Sequence, residues 1–256
     1  YPMTTASAVL DILQLTDMHL FADPGTDLRG VNTASSFRRA LDHALAAWDP
    51  DVILLTGDLS EDRSEEAYGQ LRHALEPLGV PVFCIPGNHD NPEMMERELT
   101  GGQFRYCEPI RHENWLLPML NTWDGDRGGG RLGQNELEDL ERQLAATDAE
   151  HVLVCLHHQP VPVGSAWLDT VGLDDSDALM AMIESHHQVR GLLWGHVHQG
   201  YDRHNGGLRL MGTPSTCYQF APGRDDFALD GLGPGYRRLK LQADGRIDSQ
   251  VTQLEP

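Results

Sequence analysis

Residues 10–19 read LDILQLTDMH, and the plan of that stretch, a short apolar run ending in polar residues able to bind a metal, returns four times. It recurs as VILLTGD at 52–58, VFCIPGNHD at 82–90, VLVCLHH at 152–158 and GLLWGHVH at 191–198. Such short apolar runs suit strands buried on both faces. Helical periodicity fills the gaps between them. Over 34–48 it places Phe37, Leu41, Ala44, Leu45 and Trp48 on one face, and Ser64 can cap a helix with Glu65 and Glu66 in its first turn. Segments 135–144 and 175–185 read the same way. Strand and helix in repetition predict an α/β protein with a largely parallel first sheet. After residue 200 the helices stop, and LRLMG (208–212), YRRLKL (236–241) and RIDSQVTQL (246–254) alternate like antiparallel strands, implying a second sheet to which 106–122 adds a hairpin. No linker or repeat divides the chain, so one domain over 3–256 is expected, with Tyr1 and Pro2 read as additions ahead of a start at Met3. The glycines of 125–133 form a loop and do not follow a strand as a phosphate-binding GxGxxG would.

The chain carries 39 acidic and 19 basic residues, a net charge of -20. That field repels nucleic acid and anionic membranes, so neither is expected as a partner. An anionic substrate needs a local positive centre, which metal ions held by some of the carboxylates would supply. No run approaches the length of a membrane span, no secretory signal is evident, and Cys84 and Cys107, Cys155 and Cys217 are too widely spaced for a thiolate metal site. A cytoplasmic protein, monomer or homodimer, is the expectation.

Taken singly, an aspartate after a strand is a turn or cap residue, and a lone histidine is a structural one. Five strand ends that all carry such groups are different, because ligands bind at the carboxyl ends of strands in open α/β sheets. The candidate metal ligands are Asp17, His19, Asp58, Asn88, His157, His196 and His198. Oxygen and imidazole donors without thiolate suit iron or manganese, with zinc, cobalt or magnesium also possible. Asp17-x-His19 and His196-x-His198 are read as extended dipeptides whose alternate side chains project to one side. Glycine before Asp58, Asn88 and His196 leaves room for close approach. Asp58, central among the strand ends, is the candidate bridge between two ions. Ions about 3.5–4 Å apart can activate a bridging hydroxide for in-line attack at phosphorus. His89, beside the ligand Asn88, is free to act as general acid, the alternative being a structural imidazole.

Together D-x-H, GD, GNHD, a downstream HH and GHVH resemble the calcineurin-like metallophosphoesterase superfamily. The resemblance implies a four-layer α-β-β-α sandwich of two mixed sheets flanked by helices. It also implies one metal on Asp17, His19, Asp58 and His198 and a second on Asp58, Asn88, His157 and His196. Beyond the superfamily, LTDMHLFADP (15–24), HHQPVPVGSAWLD (157–169), GTPSTCYQF (212–220) and GPGYRRLKL (233–241) look like the bacterial class III 3′,5′-cyclic-AMP phosphodiesterases over about residues 10–252. The chain departs from the superfamily's GDxxD pattern. Glu61 stands where an aspartate orients the catalytic histidine, Asp62 follows it, and Asp90 is a local alternative; which of the three contacts His89 is left open.

The activity so implied is hydrolysis of cyclic AMP to 5′-AMP at a dinuclear centre, with His89 protonating O3′. Asn88, His89, His19, His198 and His158 are the candidate substrate contacts. Residues 213–216 could line the nucleotide site or simply bond their own turn, and Trp167 or Tyr218 could stack on a purine or belong to the core. Hydrolysis of another phosphodiester or phosphomonoester is the enzymatic alternative. A non-catalytic scaffold of the same fold would be expected to lack ligands or the acid histidine, and a nuclease conflicts with the acidic balance.

Overall fold

The computed structural model describes residues 9–46 and 48–256, so the reading of Tyr1 and Pro2 as additions before Met3 lies outside the described residues. All five apolar runs are strands: Leu10–Leu15, Val52–Thr56, Val82–Ile85, His151–Cys155 and Val189–Trp194. They do not share one sheet. The first sheet runs Ile247–Gln253, Gly235–Leu241, Leu10–Leu15, Val52–Thr56, Val82–Ile85, Phe104–Tyr106, and the second Tyr201–Asn205, Leu208–Gly212, Val189–Trp194, His151–Cys155, Trp115–Leu117, Ile110–His112. In the first, the last four strands are parallel and Gly235–Leu241 pairs antiparallel with both its neighbours. In the second, Leu208–Gly212 through Trp115–Leu117 are parallel and each edge strand is antiparallel.

The expected hairpin within 106–122 is therefore present, but the expected division of strands between sheets is corrected. Only three of the apolar runs lie in the first sheet, and the tail strands 235–241 and 247–253 return to it rather than building the second. Periodicity reports which faces of a strand are buried, and it carries no information about which neighbour the strand pairs with.

Alternation within the strands makes three apolar layers. Leu13, Leu15, Ile53 and Leu55 pack against Phe37, Leu41, Leu71 and Met95 of the outer helices. Leu10, Ile12 and Leu54 face Leu153, Leu193 and Met211 of the other sheet. Val152, Val154, Leu192 and Trp194 meet Leu140, Leu144, Leu179 and Ile183 on the far side. Helix, sheet, sheet and helix thus stack as four layers, each leucine so buried contributing about 2 kcal/mol.

Helix Thr33–Leu45 starts where the Asn32 side chain accepts from Ser35 N at 2.9 Å. It ends at Leu45, short of the expected Trp48. Helix Glu65–Leu75 is capped by Ser64 as predicted, and Gly133–Ala146 and Ser176–Ser185 extend or match their predicted spans. Helix Pro92–Glu98 went unread, although Asn91 as cap followed by Pro92 in the first turn is a legible start signal. Buried polar links join the sheets beneath their carboxyl ends. Gln14 Nε2 donates to Thr56 Oγ1 at 2.9 Å and to Trp194 O at 3.2 Å, and Arg237 donates to Gly212 O, Thr213 Oγ1 and Tyr201 O. Among the described residues no helix is long and apolar enough to cross a membrane.

Candidate metal centre

The carboxyl ends of the five strands meet where the two sheets abut, and backbone hydrogen bonds lock the turns together: Asp17 N to Gly57 O, His19 N to Asp58 O and Gly195 N to His157 O. Asp17, His19, Asp58, His157, His196 and His198 are all buried here, while Asn88 and His89 are only half-buried and open the cavity to solvent. The two histidine-containing dipeptides are not extended. Asp17 and His19 have φ of 54° and 50°, His196 and His198 of 62° and 45°, and Asp58 of 52°. Left-handed backbone at both ends of D-x-H and H-x-H, rather than strand alternation, turns the paired side chains inward.

Hydrogen bonds fix which imidazole nitrogen points into the cavity. His157 Nδ1 donates to Thr56 O at 2.7 Å and His198 Nδ1 to Tyr218 O at 2.8 Å. A carbonyl can only accept, so in each ring Nε2 is the nitrogen left to face the cavity; burial lowers the His157 imidazole, but the Asp58 charge outweighs it and carries it to about 9. His19 Nδ1 donates to Glu61 Oε2 at 2.7 Å with the same result. His19 Nε2 and His198 Nε2 then stand 3.2 Å apart, lone pair to lone pair, with Asp17 Oδ1 3.3 Å from the latter. Asp58 Oδ2 lies 3.8 Å from His19 Nε2 and 3.5 Å from His157 Nε2, between the two groups. Among the described residues Asn88 Oδ1, His157 Nε2 and His196 Nε2 are buried without any hydrogen-bond partner. Facing lone pairs and orphaned buried polar atoms are costly in a protein interior, and cations in the cavity would satisfy both. The donor set therefore fits metal ions, and Asp58 lies between its two groups of imidazoles.

Charge follows the same pattern. Burial alone would raise the Asp58 carboxyl, but the facing His157 and His89 imidazoles outweigh it and hold that carboxyl well below the usual range. Burial, reinforced by the neighbouring His157, pushes His196 down to about 3, so it stays neutral. The glycines make the approach possible. A Cβ at Gly57 would overlap His157 Nδ1, one at Gly87 would overlap Asp58 Oδ1, and one at Gly195 would overlap Thr16 Oγ1.

The acid beside His89 is Glu61, whose Oε2 lies 2.9 Å from His89 Nδ1 as well as 2.7 Å from His19 Nδ1. Asp62 and Asp90 do other work. Asp62 bonds Ala22 N, Ser64 N and the Ser60 and Ser64 hydroxyls, and Asp90 gathers Leu59 N, Ser60 N, Gly87 N and the Tyr68 hydroxyl. Burial opposes ionisation of Glu61, yet the hydrogen bonds from His19 and His89 pull its carboxyl to about 2. Burial lowers the His89 imidazole, but the Asp58 charge and the Glu61 hydrogen bond outweigh it and carry it to about 9.

His158 is fully buried, its Nδ1 2.7 Å from Thr122 Oγ1 and its ring 4.6 Å from that of His196. Within 213–216 the Ser215 hydroxyl donates to Asp17 O at 2.7 Å and accepts from Cys217 N, so this segment supports the D-x-H turn from beneath. Tyr218 stacks on His19 at 5.8 Å, and Trp167 packs edge-on against Phe220 and Phe227. Sequence reasoning missed Arg63. Its Nε donates to His89 O at 3.0 Å and its Nη1 reaches Asp126 at 2.7 Å, tying the GNHD turn to the glycine-rich loop. Its place soon after GD in an acidic chain was the available signal.

Residues 10–200 match the family model described as calcineurin-like phosphoesterase. The chain is 40% identical to the 3′,5′-cyclic adenosine monophosphate phosphodiesterase CpdA of Pseudomonas aeruginosa, covering 99% of this chain and 93% of that protein. It is 36% identical to a 3′,5′-cyclic-nucleotide phosphodiesterase of Nostoc, over 96% of this chain and 92% of that one. Among solved structures, a dimetal phosphatase from Danio rerio superposes with a TM-score of 0.65 at 15% identity, covering 95% of this chain and 98% of the other, a likeness of fold.

Proposed function

The chain belongs to the calcineurin-like phosphoesterase family, and on that premise we propose that it hydrolyses the 3′ ester bond of 3′,5′-cyclic AMP to give 5′-AMP. The observation that carries the reading is the pairing of a buried cluster of unpartnered polar atoms, Asn88 Oδ1, His157 Nε2 and His196 Nε2, with a half-exposed His89 at its mouth. Near-full-length similarity to cyclic-nucleotide phosphodiesterases supports the choice of substrate.

Asp17, His19, Asp58 and His198 would hold one ion and Asp58, Asn88, His157 and His196 the other, with iron and manganese the first candidates. Bound there, the pair would supply a water acidic enough to attack phosphorus at neutral pH and positive charge against the phosphoryl oxygens. The protein's own groups do the rest. Glu61 accepts from His89 Nδ1 and so directs the opposite ring nitrogen toward the cavity mouth. As the P–O3′ bond breaks, that nitrogen donates its proton to O3′, sparing the departure of a free alkoxide. Arg63 holds the backbone carbonyl of His89 and keeps the ring at the opening. Asn88 and His89 meet the substrate first, being the least buried of the group, with His19 and His198 deeper. All four cysteines are free thiols, which fits a reducing cytoplasm.

The test is product analysis with cyclic AMP before and after chelation, alongside elemental analysis of the purified protein. The expected result is 5′-AMP alone, abolished by chelator and restored by manganese or iron. Formation of 3′-AMP, or turnover indifferent to chelation, would refute the proposal.

A further inference from the structure

Arg29 and Gly30 close the two-residue turn between strands Asp27–Leu28 and Val31–Asn32, both with positive φ, 52° and 82°. Such turns favour asparagine or glycine at the first position, so an arginine there is held against its backbone preference. The result is a placed guanidinium, its carbon 4.5 Å from the ring centre of Phe227 and 5.6 Å from that of Tyr218. In a chain of net charge -20, no carboxylate forms an ion pair with it among the described residues.

The rings beneath it lead back to the candidate metal centre. Tyr218 stacks on His19 at 5.8 Å with an interplanar angle of 22°, and Phe220 stacks on His198 at 4.3 Å, also at 22°. Phe227 lies one ring further out, 5.6 Å from Phe220 and 5.1 Å from Trp167, and is 44% exposed. Its loop is not loose. Ala221 N bonds Ala228 O, and Trp167 N bonds Asp225 O. The Trp167 indole N–H, buried in the same group, has no acceptor among the described residues. A planar cation and an exposed aromatic face, each one ring removed from the proposed ligands His19 and His198, make a platform suited to an uncharged, nitrogen-rich ring.

We propose that Phe227, Arg29 and Tyr218 form the subsite for the purine base of the cyclic nucleotide, the base entering between the Phe227 ring and the guanidinium. Arg29, on an exposed turn, swings outward to cover the base's outer face, and Tyr218 borders the ribose. The assignment rests on the cyclic-nucleotide reading given above and deepens it.

The experiment uses the full chain loaded with manganese and compares cyclic AMP with methyl 4-nitrophenyl phosphate, a diester without a base. AMP affinity is measured in parallel by calorimetry. Phe227→Ala and Arg29→Gly, the latter suited to the turn's positive φ, should each raise KM for cyclic AMP and Kd for AMP about tenfold, the scale of one lost stacking partner. kcat/KM for cyclic AMP relative to the base-free diester should fall by the same factor, and Phe227→Trp should restore it. Equal losses on both substrates, or unchanged AMP affinity, would overturn the subsite. Should the wild type turn over the base-free diester but not cyclic AMP, the cyclic-AMP reading fails, and the AMP affinities of the variants alone decide the subsite.

Discussion

Glu61→Gln removes the charge that one oxygen shares between two histidines while leaving the side chain's size intact. Oε2 accepts from His19 Nδ1 at 2.7 Å and from His89 Nδ1 at 2.9 Å. Burial opposes its ionisation, but those two hydrogen bonds bring the carboxyl from 4.5 to about 2. At 1.36 kcal/mol per pH unit this is about 3 kcal/mol of preference for the carboxylate, little screened because the side chain is only 21% exposed. A depressed carboxyl contributes fully above pH 4.5 and loses its effect as the pH falls toward 2, so the whole interaction is present in a neutral assay. The amide oxygen of glutamine can still accept from both histidines, but without the charge both hydrogen bonds weaken and hold the two rings less firmly. The expected loss in kcat on cyclic AMP is about 10- to 100-fold, the usual cost of removing a partner that orients a metal-binding or catalytic histidine. Bis(4-nitrophenyl) phosphate separates the two routes, because its 4-nitrophenolate leaves without a proton. A larger loss on cyclic AMP than on the aryl ester locates the effect at His89, and equal losses with weaker metal affinity locate it at His19. Glu61→Gln with wild-type kcat and wild-type metal affinity would refute the reasoning.

His89→Ala should lower kcat on cyclic AMP by about 10²–10⁴-fold, the range for a lost general acid, and should spare the aryl ester by comparison. Equal turnover of cyclic AMP by this variant and the wild type would remove His89 from the mechanism. Asp58→Ala should cost both ions, because Oδ2 faces His19 and His157 alike; two ions per chain retained in elemental analysis would rule out the bridging role.

The five polar strand ends were legible because each sits directly after its own apolar run, so strand and functional group are read in one pass. The layer order was harder to see. Leu13 and Ile12 are both fully buried, one toward the helices and one toward the other sheet, and their side chains carry no mark of which. Hence the tail strands, whose alternation looked like a new sheet, proved to be the antiparallel extension of the first. The acid beside His89 was similarly underdetermined. Glu61 and Asp62 are adjacent, and only the turn's direction decides which carboxylate enters the cavity and which bonds the loop at Ala22. Arg29 and Phe227 are far apart in sequence and lie outside every recurrent pattern, so nothing short of the fold brings them together.

The largest difference between pattern and structure lies in the backbone of the ligand dipeptides. Spacing two residues apart suggested extended chain, yet Asp17, His19, Asp58, His196 and His198 all adopt positive φ. Each such residue without glycine's freedom costs of the order of 1–2 kcal/mol. Five of them at one cavity impose a burden that is appreciable beside the 5–15 kcal/mol stability of a typical domain. The fully packed strands feeding these turns can sustain it, since Met18 and Val197, the middle residues of the two three-residue motifs, are themselves completely buried. Those apolar anchors point away from the cavity and hold the turn shut from behind. The turns that carry the proposed ligands are therefore anchored by the core on both sides of the cavity.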